Sequence, residues 1–106
     1  MSVAEADIAF ARDLFHDLDD LTERKMFGGV CFYSEGTVFA LLSSEGRLHL
    51  KARGALAEDL AAQGGVQFYT MPYWSLPAAA LDGPDAAVAL ARRALRDLAD
   101  QDSRSS

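Results

Sequence analysis

This sequence predicts an α+β fold: an antiparallel sheet of about four to five strands with N-terminal, short middle and C-terminal helices. Three observations predict it. Apolar residues recur at helical spacing near both ends of the chain. Short β-rich runs separated by Gly-containing turns fill the stretch between them. One of those runs, residues 47–51, alternates strictly between charged or polar and apolar side chains. Runs of strands flanked by helices are met by a sheet with helices packed on one face. With 106 residues the chain makes one domain, taken as residues 1–100, with the polar segment 101–106 as a flexible tail.

In residues 4–18, Ile8, Ala11, Phe15 and Leu18 form an apolar stripe, widened by Leu14 and Leu21, with Asp13, His16, Asp17 and Asp20 on the other side. Glu5 and Asp7 suit the positive end of the helix dipole, and Asp19-Asp20 favours a turn. Residues 25–33 are read as one long strand, with Gly28-Gly29 as a bulge or bend within it. Ser34-Glu35-Gly36 and Ser44-Glu45-Gly46 are hairpin connectors, and residues 37–43 between them are apolar enough to be the central strand. In residues 47–51, Leu48 and Leu50 point to one face and Arg47, His49 and Lys51 to the other.

Residues 55–62 form a short helix stopped by Gly64-Gly65. Residues 66–69 are a strand candidate, and Pro72 makes residues 71–74 an edge strand or crossing piece. Pro84 opens a last helix to about residue 100, with Val88, Ala91, Leu95 and Leu98 as its stripe.

Half of the residues are apolar and a quarter charged, the composition of a globular chain. Cys31 is the sole cysteine, which rules out an internal disulfide and a cysteine-rich zinc site and fits a reducing compartment. No basic stretch followed by an apolar run opens the sequence, and no segment has the length and hydrophobicity of a membrane span. The expectation is a cytoplasmic protein with no membrane contact. The net charge is −6, and the first 23 residues carry seven acidic side chains against Arg12 alone. Because nucleic-acid affinity rests on neutralising phosphates, direct binding to DNA is not expected.

No enzyme motif emerges. Gly28-Gly29 lacks the spacing of a phosphate loop, no Gly-x-Ser-x-Gly elbow is present, and neither His16 nor His49 has a motif placing an acid or nucleophile beside it. His16 among Asp13, Asp17 and Asp20 reads as a solvated helix face rather than a metal site. Two clusters are candidates for partner contact. Arg47, His49, Lys51 and Arg53 form an outward basic row, which would also protect a strand from aggregation. Phe68, Tyr69, Tyr73 and Trp74 form an aromatic cluster around Pro72, and Tyr and Trp are enriched at binding hot spots.

Lys25-Met26-Phe27-Gly28-Gly29, Tyr33, Phe39-Ala40-Leu41, Leu48-x-Leu50-Lys51, Tyr73 with Pro77, and Leu81 before the Ala-rich last helix together resemble the TfoX N-terminal domain family, over roughly residues 10–98. The resemblance implies an α+β fold similar to secretion-chaperone-like folds. Full-length TfoX or Sxy proteins add a C-terminal helical domain and regulate bacterial competence genes together with the cyclic-AMP receptor protein. This chain is expected to be the first domain standing alone.

The function expected is therefore that of a non-enzymatic protein-interaction domain of the transcriptional co-regulator type, with a protein partner and no cofactor or metal. Arg47, His49, Lys51, Arg53, Tyr73 and Trp74 are the candidate contact residues. The alternative is a small-molecule-binding protein or weak enzyme using a pocket between sheet and helices. The sequence does not select an oligomeric state.

Overall fold

Central strands as apolar as Val30–Phe32 and Phe39–Leu42 have to be covered, and amphipathic helices cover them. The computed structural model describes residues 3–26 and 28–105. Its elements are α1 (Glu5–Leu14), β1 (Leu21–Met26), β2 (Gly29–Ser34), β3 (Thr37–Leu42), β4 (Leu48–Lys51), α2 (Gly54–Ala62), β5 (Tyr73–Ser75), α3 (Ala78–Leu81) and α4 (Pro84–Ser105). The strands form one antiparallel sheet in the order β1-β2-β3-β4-β5. The α+β expectation and the strand number hold.

One face of the sheet carries the main core. Val30, Phe32, Ala40, Leu42, Leu48 and Leu50 pack with Ile8, Ala11 and Leu14 of α1, Leu56 and Leu60 of α2, and Ala87, Val88, Ala91 and Ala94 of α4. Phe15 sits fully buried at the centre, its ring edge-on to Phe39 at 5.0 Å and tilted against Phe32 at 6.1 Å. The helical stripe continues beyond α1 although the helix does not: Phe15 already departs from helical backbone, and Leu18 is buried from the turns that follow. Ion pairs tie the layers at the surface, Arg12 of α1 to Glu23 of β1 and Arg93 of α4 to Asp59 of α2 at 2.7 Å.

The Gly-Gly segment differs from expectation. Residues 25–33 are not one bulged strand but two strands of a hairpin, with Lys25 opposite Val30 and Met26 opposite Gly29. Gly28 takes a left-handed backbone (φ 78°) at the turn, where a side chain would be strained. Phe27 lies outside the described residues. Gly29 answers a different need: a β-carbon there would collide with the carbonyl oxygen of Leu42 on the neighbouring strand. The irregularity in the sheet lies elsewhere, between Phe32 and Tyr33 of β2, which face Ala40 and Val38 and leave Phe39 as the extra residue. This lets both Phe39 and Ala40 enter the main core.

Three further differences follow from local chemistry. The run 66–69 is no strand; it touches the sheet through a single bridge, Gln67 to Trp74. Ala78–Leu81 forms a short helix after Pro77, in a stretch with no apolar period long enough to reveal it. The last helix runs to Ser105 rather than to about residue 100, and no Gly or Pro stands in residues 85–105 to stop it.

Two substitutions test this account in urea unfolding. Phe15→Ala is expected to cost about 3–5 kcal/mol, the range for a fully buried phenylalanine. Gly29→Ala, although it adds only a methyl group, is expected to cost about 2 kcal/mol through overpacking against Leu42.

Candidate functional site: a groove on the helix-free face

The pairing register builds the second face of the sheet. Arg24, Cys31, Leu41, His49 and Ser75 lie opposite one another in a row across all five strands. Lys51 pairs with Tyr73 one step along this face. No helix covers the row, yet Cys31, Leu41 and Tyr73 are buried and gather Tyr33, Val38 and Phe68 around them into a small second core.

The cover is the chain between α2 and β5, which folds back as an arm. The Val66 amide donates to Ser75 Oγ at 2.8 Å, and the Ser75 amide returns a bond to the Val66 carbonyl at 3.0 Å. The Phe68 amide donates to the Tyr73 carbonyl at 2.8 Å, and the Met71 amide to the Phe68 carbonyl at 3.0 Å. Gly65 lets the arm begin, since a β-carbon there would stand 2.7 Å from the Leu60 carbonyl oxygen and 2.9 Å from that of Ser75. The arm lays Phe68 edge-on to His49, ring centres 5.1 Å apart, and stacks Tyr69 edge-on to Phe68 at 4.7 Å. Tyr69 itself has a left-handed backbone (φ 54°) and is 80% exposed.

Between arm and sheet lies a groove of about 730 Å³. Cys31, Leu41, His49 and Tyr73 floor it, and Ser43, Ser44, Glu45 and Arg47 close one end. Five large apolar side chains are exposed among the described residues, and four of them, Met26, Val66, Tyr69 and Met71, line this groove. Its titratable floor is held neutral. Burial lowers the His49 pKa, the Arg47 charge adding to that while hydrogen bonds to the backbone of Leu41 and Arg47 partly oppose it. Burial likewise raises Cys31, and raises Tyr73 with help from the neighbouring Cys31 and Tyr33. Among the described residues no group of three or more His, Cys, Asp or Glu side chains is placed to hold a metal ion.

The candidate contact residues therefore divide. Arg47, His49 and Tyr73 line the groove. His49 does not belong to an outward row: it is buried, its Nδ1 3.3 Å from the Leu41 carbonyl, because the arm covers the face that Lys51 and Arg47 share with it. Lys51 is half-buried beside the groove, and Arg53 is exposed at the start of α2. Trp74 lies on the opposite face, half-buried against the main core, so it does not meet Tyr73 in one aromatic patch. Met26, Val66 and Met71 escape sequence reading because they come together only through hairpin and arm.

The sequence model of the TfoX N-terminal domain matches residues 13–98, most of the chain. The chain belongs to the TfoX N-terminal domain family. No curated protein matches it. In this TfoX N-terminal domain the groove is formed wholly within the matched region, from Met26 to Tyr73. No helix among the described residues is long and apolar enough to cross a membrane.

The buried imidazole gives a pH test with a definite sign. His49 is harder to protonate folded than unfolded, so its neutral form contributes stability that is complete above the unfolded value of about 6.5 and declines as pH falls below it. Melting temperatures taken from about pH 7.5 down to about pH 5 should fall for the natural chain and fall less steeply for His49→Phe.

Proposed function

We propose that this domain is a non-enzymatic protein-interaction module of the kind associated with regulating bacterial competence genes, and that it holds an apolar segment of a transcription protein in the groove. The observation that carries the reading is the convergence of Met26, Val66, Tyr69 and Met71 on one groove, which leaves Phe10 as the one other exposed large apolar side chain among the described residues. Methionine and tyrosine suit such a surface, one by adapting its shape and the other by offering a broad ring with a polar tip. Arg47 at the groove's end supplies a cation for an acidic neighbour of that segment. A catalytic role has less support, since His49, Cys31 and Tyr73 are all shifted towards their neutral forms and no carboxylate contacts the imidazole.

The test is direct binding to purified cyclic-AMP receptor protein and to RNA polymerase by fluorescence anisotropy. Tyr69→Ser combined with Met71→Ser should weaken the complex about tenfold or more while leaving the melting temperature nearly unchanged, because both side chains are exposed. Equal binding by the variant would refute the groove as the docking site.

A small ligand is the second reading, favoured by the groove's volume, which falls within the range of about 300–1,000 Å³ usual for such sites. The groove lies on the helix-free face, not between sheet and helices as the sequence suggested. A metabolite class that raises the melting temperature of the natural chain, and not of the Tyr69→Ser, Met71→Ser variant, would favour this second reading.

A further inference from the structure

The two edges of the sheet are treated differently. At the β5 edge the arm supplies hydrogen bonds through Val66 and Phe68, so that edge is capped. At the β1 edge nothing equivalent exists among the described residues: no backbone group of Leu21–Met26 bonds to anything outside its ladder with β2. The strand is six residues long, the equal of any in the sheet, and from Thr22 to Met26 every residue but the half-buried Glu23 is exposed. Its outer amides and carbonyls form an open template for another strand.

Symmetry limits what a second copy can do there. Two edge strands paired antiparallel are related by a two-fold axis perpendicular to the sheet, which keeps the helices of both copies on the same side. Residues opposite one another in a ladder point to the same side of the sheet. On β1, Leu21 packs towards the main core and Glu23 bonds to Arg12 of α1, so 21, 23 and 25 face the helices, whereas Met26 lines the groove on the other face with 22 and 24. Odd positions must therefore oppose odd, and even oppose even. A register centred on Glu23 sets two glutamates against each other, and one centred on Lys25 sets two lysines. The register centred on Arg24 sets Glu23 against Lys25 of the second copy twice, and Thr22 against Met26 twice. Its single like-charge contact, Arg24 with itself, falls on the solvent side.

We propose that β1 is a self-association edge, through which two copies join their sheets antiparallel in the register centred on Arg24. Acid and base then alternate both along the strand and across the seam on the helix side, with Arg12 bracing each Glu23. The register pairs Thr22–Met26 of each copy, five residues a side and a small interface, so the dimer is concentration-dependent.

Sedimentation equilibrium over a wide range of protein concentration tests this, with circular dichroism checking that each variant is folded. The natural chain should approach twice the monomer mass at the highest concentrations. Lys25→Glu and Glu23→Lys should each raise the dissociation constant about tenfold or more. Mixing these two variants should restore the dimer, because both 23–25 pairs across the seam are again opposite in charge. Arg24→Thr should tighten it by removing the contact at the axis. Hydrogen exchange at residues 21–26 should slow as concentration rises. A single-chain mass throughout would overturn the proposal, as would a dimer that Lys25→Glu leaves intact. None of the substituted positions, Glu23, Arg24 and Lys25, lines the groove, so failure here leaves the groove reading untouched.

Discussion

Cys31, Leu41 and Tyr73 stand on the face of the sheet that no helix reaches, and their need for cover shapes the rest of the molecule. An ordinary half-buried antiparallel sheet alternates apolar-in with polar-out and can leave one face to water. Here β2 and β4 are buried on both faces along most of their length. The helices satisfy one side. The other is served by a loop, which caps the β5 edge and reaches over His49 of β4 with Phe68. A groove results because the cover is too small for the surface beneath it.

That economy also explains the electrostatics. A histidine on a solvent-facing strand position would ordinarily be a mobile, titrating side chain. Once Phe68 lies on it, His49 loses water and is favoured in its neutral form. Acidic charge is concentrated on the first helix and its following turn, away from the groove floor. The molecule thus presents an apolar groove with Glu45 and Arg47 at its end on one side, and an acidic helix on the other.

Much of the architecture could be read from the chain because it rests on short-range periodicity. The stripe from Ile8 to Leu18, the alternation of Leu48 and Leu50, and the Glu35-Gly36 turn, where both residues adopt positive φ, all announce their structure locally. What was illegible depends on distant partners. Leu21–Met26 forms a strand although Thr-Glu-Arg-Lys has no apolar alternation, because its pairing with β2 decides it. The turn at Gly28 hides between apolar neighbours that read as continuous strand. The burial of His49 depends on Phe68, nineteen positions later in the chain, and nothing near residue 49 signals it.

Trp74 has a practical consequence. It is the only tryptophan, and it lies on the helix side of a sheet whose other side carries the groove. Its half-buried ring beside the main core makes its emission a gauge of helix packing, separated from the groove floor by the thickness of one polypeptide layer. The three tyrosines, Tyr33, Tyr69 and Tyr73, all stand on the groove side, and their emission is the corresponding gauge there. The chain therefore carries two intrinsic spectroscopic channels, and events in the groove can be told apart from loss of the fold without attaching a label.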